Sequence, residues 1–173
     1  MKNNQNIFSD LKKNSGNNKS IGIVCALWNS EITSRLYNGC FDTLIEYGVS
    51  KNDIRTLEVP GSFELIYGAQ HLLNTSLLNT KEKKLDAIII IGSIIKGETP
   101  HFDFIAQSIT NGAIDLNTKS ESPIIFCVST DLNRKQAFDR SGGQHSNKGS
   151  ESALTALQLL YNIQLDKIKN SSL

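Results

Sequence analysis

The chain has 173 residues, a formal net charge of +1, 39% hydrophobic residues and 20% charged residues. This length suits one domain with a sizeable core, and the charge argues against nucleic acid or a membrane surface as a partner. No apolar run approaches the ~20 residues that span a bilayer. The three cysteines lie in apolar stretches without metal-ligand spacing. We interpret them as free thiols in a reducing compartment, with a catalytic cysteine as a minor alternative.

The first twenty residues are rich in Asn and Lys. We predict a polar tail over residues 1–20 and a single domain over residues 21–170. The tail lacks the continuous apolar core of a secretory signal. Asp10 and the absence of Arg argue against a transit peptide, whereas Ile7, Phe8 and Leu11 leave room for a short segment that docks on a partner.

Strand-like and helical patterns alternate after the tail. In chain order we predict a strand at 21–27, a helix at 32–48, a strand at 54–59, a helix at 63–73, a surface loop at 77–85, a strand at 87–91, a helix at 104–116, a strand at 124–129, and helices at 134–141 and 150–168. The first, third and fourth strands are apolar almost throughout, as in strands covered on both faces. This alternation predicts an α/β protein, a three-layer α/β/α sandwich around a four-stranded parallel sheet.

The loop after the third strand is the richest in polar groups. Ligands of open α/β sheets bind at the carboxyl ends of the strands, and this loop brings Gly97, Thr99 and His101 there. Backbone N–H groups at a helix start, together with a threonine hydroxyl, can hold an anion. Histidine as a residue type is suited to carrying protons near neutral pH. The loop therefore predicts an anion pocket beside a proton carrier.

Residues elsewhere at the strand ends extend this hypothesis. Trp28 could stack on a flat heterocycle, and Arg140 could bind a phosphate through both arms of its guanidinium. Each residue alone has an ordinary alternative: Trp28 in the core, Glu64 as a partner of a helix dipole, and Arg140 and Lys148 as solvated charges. Their sum favours an enzyme that joins or cleaves a phosphorylated small molecule and a planar partner.

Four segments carry a resemblance to a known family. They are residues 28–33 (WNSEIT), 59–64 (VPGSFE), 92–104 (GSIIKGETPHFDF), and 140–142 (RSG) followed by 147–149 (NKG). Over about residues 20–165 the chain resembles the 6,7-dimethyl-8-ribityllumazine synthases of riboflavin biosynthesis. The resemblance implies a flavodoxin-like fold and a cytoplasmic transferase without a metal or organic cofactor. It also implies condensation of 5-amino-6-(D-ribitylamino)uracil with L-3,4-dihydroxy-2-butanone 4-phosphate, with release of phosphate and water.

The resemblance also implies roles for single residues. His101 is the expected general acid/base, and Arg140 the expected phosphate anchor, although Lys96 stands where many relatives have Arg. The residues expected to contact the two substrates are Trp28, Ser62, Phe63, Glu64, Ser93, Ile94, Ile95, Gly97, Glu98, Thr99, Phe126, Arg140 and Lys148. Among them Phe126 is expected to complete the site of a neighbouring subunit.

Assembly is a further expectation from the resemblance. It implies a homopentamer, with a decamer or a 60-subunit shell as alternatives, an N-terminal strand that could be added to a neighbouring subunit's sheet, and riboflavin synthase as a further partner. The polar loop at residues 143–147 departs from the usual family pattern and leaves the assembly state open.

Two alternative functions use the same fold. A non-catalytic shell or binding protein would need no proton carrier, so the presence of His101 with Arg140 and Glu64 argues against it. A pentameric riboflavin synthase of the archaeal type would need no phosphate pocket. Residues 97–99 and Arg140 predict such a pocket and therefore argue against this alternative.

Overall fold

The computed structural model describes residue 8, residues 10–78 and residues 83–171. In chain order its elements are β1 (Ile21–Ala26), α1 (Ser30–Glu46), β2 (Ile54–Val59), α2 (Leu65–Leu78), β3 (Ala87–Ile95), α3 (His101–Lys119), β4 (Ile124–Asp131), α4 (Arg134–Arg140), β5 (Ser141–Gly143), β6 (Ser146–Asn147) and α5 (Lys148–Asn170). Short 3-10 turns, Lys51–Asp53 and Ser62–Glu64, precede β2 and α2. None of the helices in these ranges is both long and apolar enough to cross a membrane.

The central sheet is parallel, with strand order β2-β1-β3-β4. Helices α1, α4 and α5 cover one face, and α2 and α3 cover the other. In β3, Ile89 and Ile91 pack toward the first face, whereas Ile88 and Ile90 pack toward the second. Burying one such side chain contributes roughly 1.5–3 kcal/mol. The two covered faces explain the unbroken apolar run and confirm the predicted three-layer α/β/α sandwich.

The prediction that the third strand ends at residue 91 is wrong. β3 continues to Ile95, because its ladder with β4 runs on from the Gly92–Val128 pair to the Ile95–Asp131 pair. Gly92 is a poor strand former, so local sequence suggested an end where tertiary pairing allows none. Ser93 therefore belongs to a hydrogen-bonded strand, and its main chain is held in place.

The predicted surface loop at residues 77–85 is also wrong at both ends. α2 continues to Leu78, and Leu85 is buried in the core, where it packs against Gly22 of β1. Residues 79–82 lie outside the described residues. The polar composition of the segment concealed the helix continuation and one apolar anchor.

The segment before β1 packs on the domain. Leu11 is buried in the cluster beneath α1 and α5, the Gly16 N–H donates to the Tyr47 carbonyl oxygen over 2.8 Å, and the Ser20 N–H donates to Asp86 Oδ2 over 2.7 Å. Residues 1–7 and 9 lie outside the described residues, including Ile7 of the predicted docking segment. The added N-terminal strand and the domain boundary at residue 20 stay predictions.

The three thiols are buried beneath α1 and α5. Cys25, Cys40 and Cys127 are all free and buried. Burial raises the pKa of Cys25 and of Cys127 to about 11, and it raises the pKa of Cys40 well above its ordinary value. Among the residues that the structure describes, no group of three or more His, Cys, Asp or Glu side chains could hold a metal ion. These thiols are core residues and not nucleophiles.

We therefore expect the native protein to resist a thiol reagent such as DTNB at pH 8. At a pKa of about 11, on the order of one thiol in a thousand is ionised at that pH. Denaturation in guanidinium should release all three thiols per chain. A thiol in the native protein that reacts as fast as free cysteine would contradict this packing.

Candidate active site

A cavity of about 690 Å³ opens at the carboxyl edge of the sheet. Three strand ends and the first turn and a half of α3 enclose it. Its lining residues are Trp28, Asn29, Gly61, Ser62, Phe63, Glu64, Ser93, Ile94, Ile95, Gly97, Thr99, His101, Phe102 and Ile105. It therefore brings together ten of the fourteen predicted site residues.

The end of β1 presents an aromatic side chain to this cavity. The Leu27 and Trp28 N–H groups donate to the carbonyl oxygens of Val59 and Pro60 over 2.8 and 3.0 Å. These bonds fix the Trp28 backbone although its residue surface is 72% exposed. Such exposure rules out the core alternative for Trp28 and suits a stacking surface.

Asn29 is a lining residue that sequence reasoning missed. It adopts a left-handed conformation with φ 58° and ψ 44° at the start of α1, which Asn tolerates better than most residues. Its side-chain amide donates to the Ser93 carbonyl oxygen over 3.0 Å, so it ties β1 to β3 across the cavity floor. The available signal was its position directly after Trp28, in a segment that carried the family resemblance.

The loop after β2 is organised by a carboxylate. Glu64 Oε2 accepts a hydrogen bond from the Gly61 N–H over 3.0 Å, closing the turn before α2. Ser62 is buried against Gly92, where an added Cβ would lie 2.7 Å from Ser62 Oγ. Phe63 points outward and is 61% exposed. The turn therefore presents a carboxylate, a hydroxyl and an aromatic ring to the cavity.

The loop after β3 is exposed from Lys96 to His101. The Lys96 N–H donates to the Asp131 carbonyl oxygen over 2.9 Å, which anchors the loop start on β4. A Cβ built on Gly97 would meet no atom within 4 Å. α3 begins at His101 after Pro100, which provides no side-chain cap. Thr99 therefore does not cap α3, and it lines the cavity together with His101.

Four predicted residues lie outside this cavity. Glu98 is exposed on the same loop without lining the cavity. Phe126 and Lys148 line a separate hollow of about 340 Å³ beside β4 and α5. Arg140 lies near it, with Nη2 3.6 Å from Glu151 Oε2. One chain thus separates its predicted phosphate anchor from its predicted proton carrier.

Four large aromatic side chains are exposed on the segments and helices that contribute to the cavity or lie next to it in the sequence. In addition to Trp28 and Phe63, Tyr67 on α2 is 75% exposed and Phe104 on α3 is 69% exposed. Exposed apolar groups of this size mark ligand or protein contact surfaces. Trp28 and Phe63, which line the cavity, therefore suit contact with a ligand.

The sequence of this chain matches one protein family over most of its length. The sequence profile described as 6,7-dimethyl-8-ribityllumazine synthase matches residues 18–164. The chain belongs to the 6,7-dimethyl-8-ribityllumazine synthase family. All fourteen predicted site residues fall within the range that matches this lumazine synthase family.

Curated relatives agree with this assignment. The chain is 49% identical to the 6,7-dimethyl-8-ribityllumazine synthase of Flavobacterium johnsoniae over 81% of this chain and 70% of the relative. It is 48% identical to the enzyme of the same name from Christiangramia forsetii over 80% of this chain and 79% of the relative. A third lumazine synthase, from Cytophaga hutchinsonii, is 48% identical over 80% of this chain and 83% of the relative. The resemblance carried by the four segments is confirmed.

Proposed function

We propose that this chain catalyses the lumazine synthase reaction within the large cavity, as an enzyme of riboflavin biosynthesis. It condenses 5-amino-6-(D-ribitylamino)uracil with L-3,4-dihydroxy-2-butanone 4-phosphate and releases phosphate and water. The observation that carries the proposal is the cavity itself, because its lining combines His101 and Thr99 with Trp28 and Glu64. These groups suit a proton transfer between an anionic and a planar substrate.

The planar substrate fits the strand side of the cavity. The Trp28 ring provides a stacking surface, and the main chain of Ser93, Ile94 and Ile95 provides edge contacts for the pyrimidine. Glu64 accepts hydrogen bonds from ribityl hydroxyls, since a carboxylate has capacity beyond its bond to the Gly61 N–H. Phe63 closes the outer side. Binding both partners in one cavity raises their effective concentration.

The phosphorylated ketose fits the loop side. Its phosphate lies against residues 97–99, where backbone N–H groups at the start of α3 favour an anion. The free amine of the uracil attacks the ketose carbonyl, and loss of water forms an imine. Phosphate elimination and ring closure, with loss of a second water, complete the product. His101, at the start of α3, moves protons in these steps.

The direct experiment supplies the purified protein with both substrates. We expect the lumazine absorbance to increase together with release of inorganic phosphate, one phosphate for each lumazine. Lumazine supplied alone distinguishes the riboflavin synthase alternative, because that enzyme would form riboflavin from it. Absence of phosphate release with both substrates would contradict the proposed function.

A neighbouring subunit completes the site in our proposal. Phe126, Arg140 and Lys148 do not line the cavity of their own chain, whereas the exposed residues Trp28 and Phe63 do. Placing the β4–α5 side of one chain over the cavity of the next would supply a phosphate clamp, formed by Arg140 and Lys148. It would also supply a second aromatic wall, formed by Phe126. A cyclic homopentamer repeats this contact. The decamer, the 60-subunit shell, the riboflavin synthase partner and the cytoplasmic location stay predictions.

Mixed oligomers test the shared site. Chains carrying His101→Ala and chains carrying Arg140→Ala, denatured and refolded together in equal amounts, should regain activity. About a quarter of the interfaces would then join an intact His101 to an intact Arg140. Each variant refolded alone is the matched control. Activity of the mixture equal to the mean of the two controls would show that both residues act within one chain.

A further inference from the structure

A short hairpin joins the two basic residues of the proposed phosphate clamp. Ser141 of β5 pairs with Asn147 of β6 in antiparallel register. Arg140 immediately precedes Ser141, and Lys148 immediately follows Asn147. Arg140 and Lys148 are therefore the neighbours of one cross-strand pair, Ser141 and Asn147. Because paired strands run beside each other, the backbones of these two basic residues lie side by side. The geometry of this hairpin therefore determines the spacing between the two charges.

The Asn147 carboxamide makes four hydrogen bonds that connect three elements. Its Oδ1 accepts hydrogen bonds from the Gly149 and Ser150 N–H groups over 2.8 and 3.4 Å, which caps α5. Its Nδ2 donates to the Arg35 carbonyl oxygen over 3.1 Å and to the Ser141 carbonyl oxygen over 3.3 Å. All four hydrogen-bonding positions of the amide are thus used. One side chain joins α1, the hairpin and α5.

The Arg35 side chain makes a second connection from α1. Its Nε donates to the Ser141 carbonyl oxygen over 3.1 Å and lies 3.3 Å from Ser141 Oγ. Its guanidinium carbon lies 4.1 Å from the centre of the Phe138 ring on α4, a cation–π contact. Ser141 Oγ in turn donates to the Phe138 carbonyl oxygen over 3.0 Å. Arg35 thus holds the last turn of α4, which ends at Arg140.

Helix α1 packs closely against Asn147 and the start of α5. A Cβ added to Gly39 of α1 would overlap the Asn147 carboxamide, and one added to Gly149 would overlap the Leu36 carbonyl group. The helices α1 and α5 approach each other through these two glycines. These contacts hold the base of the hairpin, at Ser141 and Asn147, against α1.

We propose that Arg35 and Asn147 are positioning residues that hold Arg140 and Lys148 at the spacing required by the phosphate of the substrate. The inference rests on the proposed function of Arg140 and Lys148. Arg35 and Asn147 act through these two cations, because their own side chains are engaged by α4, α5 and the hairpin. Two cations held at one spacing bind a phosphate dianion more tightly than two mobile cations, since less freedom is lost on binding.

The test uses variants that remove hydrogen-bond donors and preserve bulk. Arg35→Met keeps the aliphatic stem, and Asn147→Asp keeps the cap of α5 but loses both donors. For each assembled enzyme we would measure the inhibition constant of inorganic phosphate, the KM of both substrates and the Tm. We expect the phosphate inhibition constant and the KM of the phosphorylated ketose to rise roughly three- to tenfold, and the KM of the uracil to stay unchanged. Lys119→Met, at the far end of α3, is the matched control and should change neither.

A double-mutant cycle separates positioning from a purely structural role. In an Arg140→Ala background, Arg35→Met should have little additional effect on the inhibition constant of phosphate, because the spacing between two cations that Arg35 maintains no longer exists. A lower Tm with unchanged phosphate and ketose constants in both variants would overturn the inference. If Arg140→Ala weakens phosphate binding while Arg35→Met and Asn147→Asp do not, this inference alone fails. If Arg140→Ala has no effect either, the proposed phosphate clamp fails with it. If Arg35→Met does not fold, Arg35→Lys replaces it, because lysine keeps the charge but lacks the Nε donor to the Ser141 carbonyl oxygen.

Discussion

Arg140→Ala should lower kcat/KM for the phosphorylated ketose roughly 10- to 100-fold, mainly by raising its KM. Hydrogen bonds to a charged group contribute about 1.5–3 kcal/mol, and each ~1.4 kcal/mol corresponds to a factor of ten. In the free chain Arg140 is partly exposed, and its nearest carboxylate contact, to Glu151, is 3.6 Å long. The guanidinium is therefore available for a stronger, bidentate partner such as phosphate.

Steady-state kinetics with each substrate varied in turn would check this result. The KM of the ribitylaminouracil should change little, because in the proposed assembly Arg140 binds the phosphate of the other substrate, whereas Trp28 and Glu64 of the cavity bind the uracil. Arg140→Lys should fall between wild type and Arg140→Ala, since it keeps the charge but loses the planar fork. Equal effects on the two substrates would count against a phosphate anchor.

His101→Ala should slow turnover by roughly 10²-fold or less, with small changes in either KM. General acid/base groups contribute on this scale, and proximity of the two substrates in one cavity accounts for much of the remaining acceleration. His101 is exposed at the start of α3 and lines the cavity. Its replacement should therefore leave the fold intact.

Single-turnover measurements of lumazine formation at saturating substrate would isolate this effect. His71→Ala is the matched control, because His71 is exposed on α2 and does not line the cavity. Its rate should equal that of wild type. An unchanged rate for His101→Ala would show that His101 does not transfer protons in the reaction. Catalysis would then come from the proximity of the two substrates in the cavity.

Local patterns predicted much of the site because catalytic loops follow strands directly. The apolar run at residues 87–91 and the polar residues after it predicted that His101 and Thr99 lie at the carboxyl edge of the sheet, where both line the cavity. The same reasoning located Trp28 and Glu64, because the carboxyl ends of parallel strands share one edge. It missed Asn29, whose role depends on a hydrogen bond to Ser93 on a distant strand.

By itself, the sequence determined the α/β alternation, the parallel sheet and the loop that carries His101. Periodicity and apolar runs are local properties, so these features needed no knowledge of neighbours in space. Only the tertiary structure decided that β3 continues through Gly92 to Ile95, because that extension depends on pairing with β4. It also decided that Arg140 and Lys148 leave one hairpin clamped to α1, away from the cavity of their own chain. Contacts between residues about a hundred positions apart, such as Arg35 with Ser141, leave no periodic trace in the sequence.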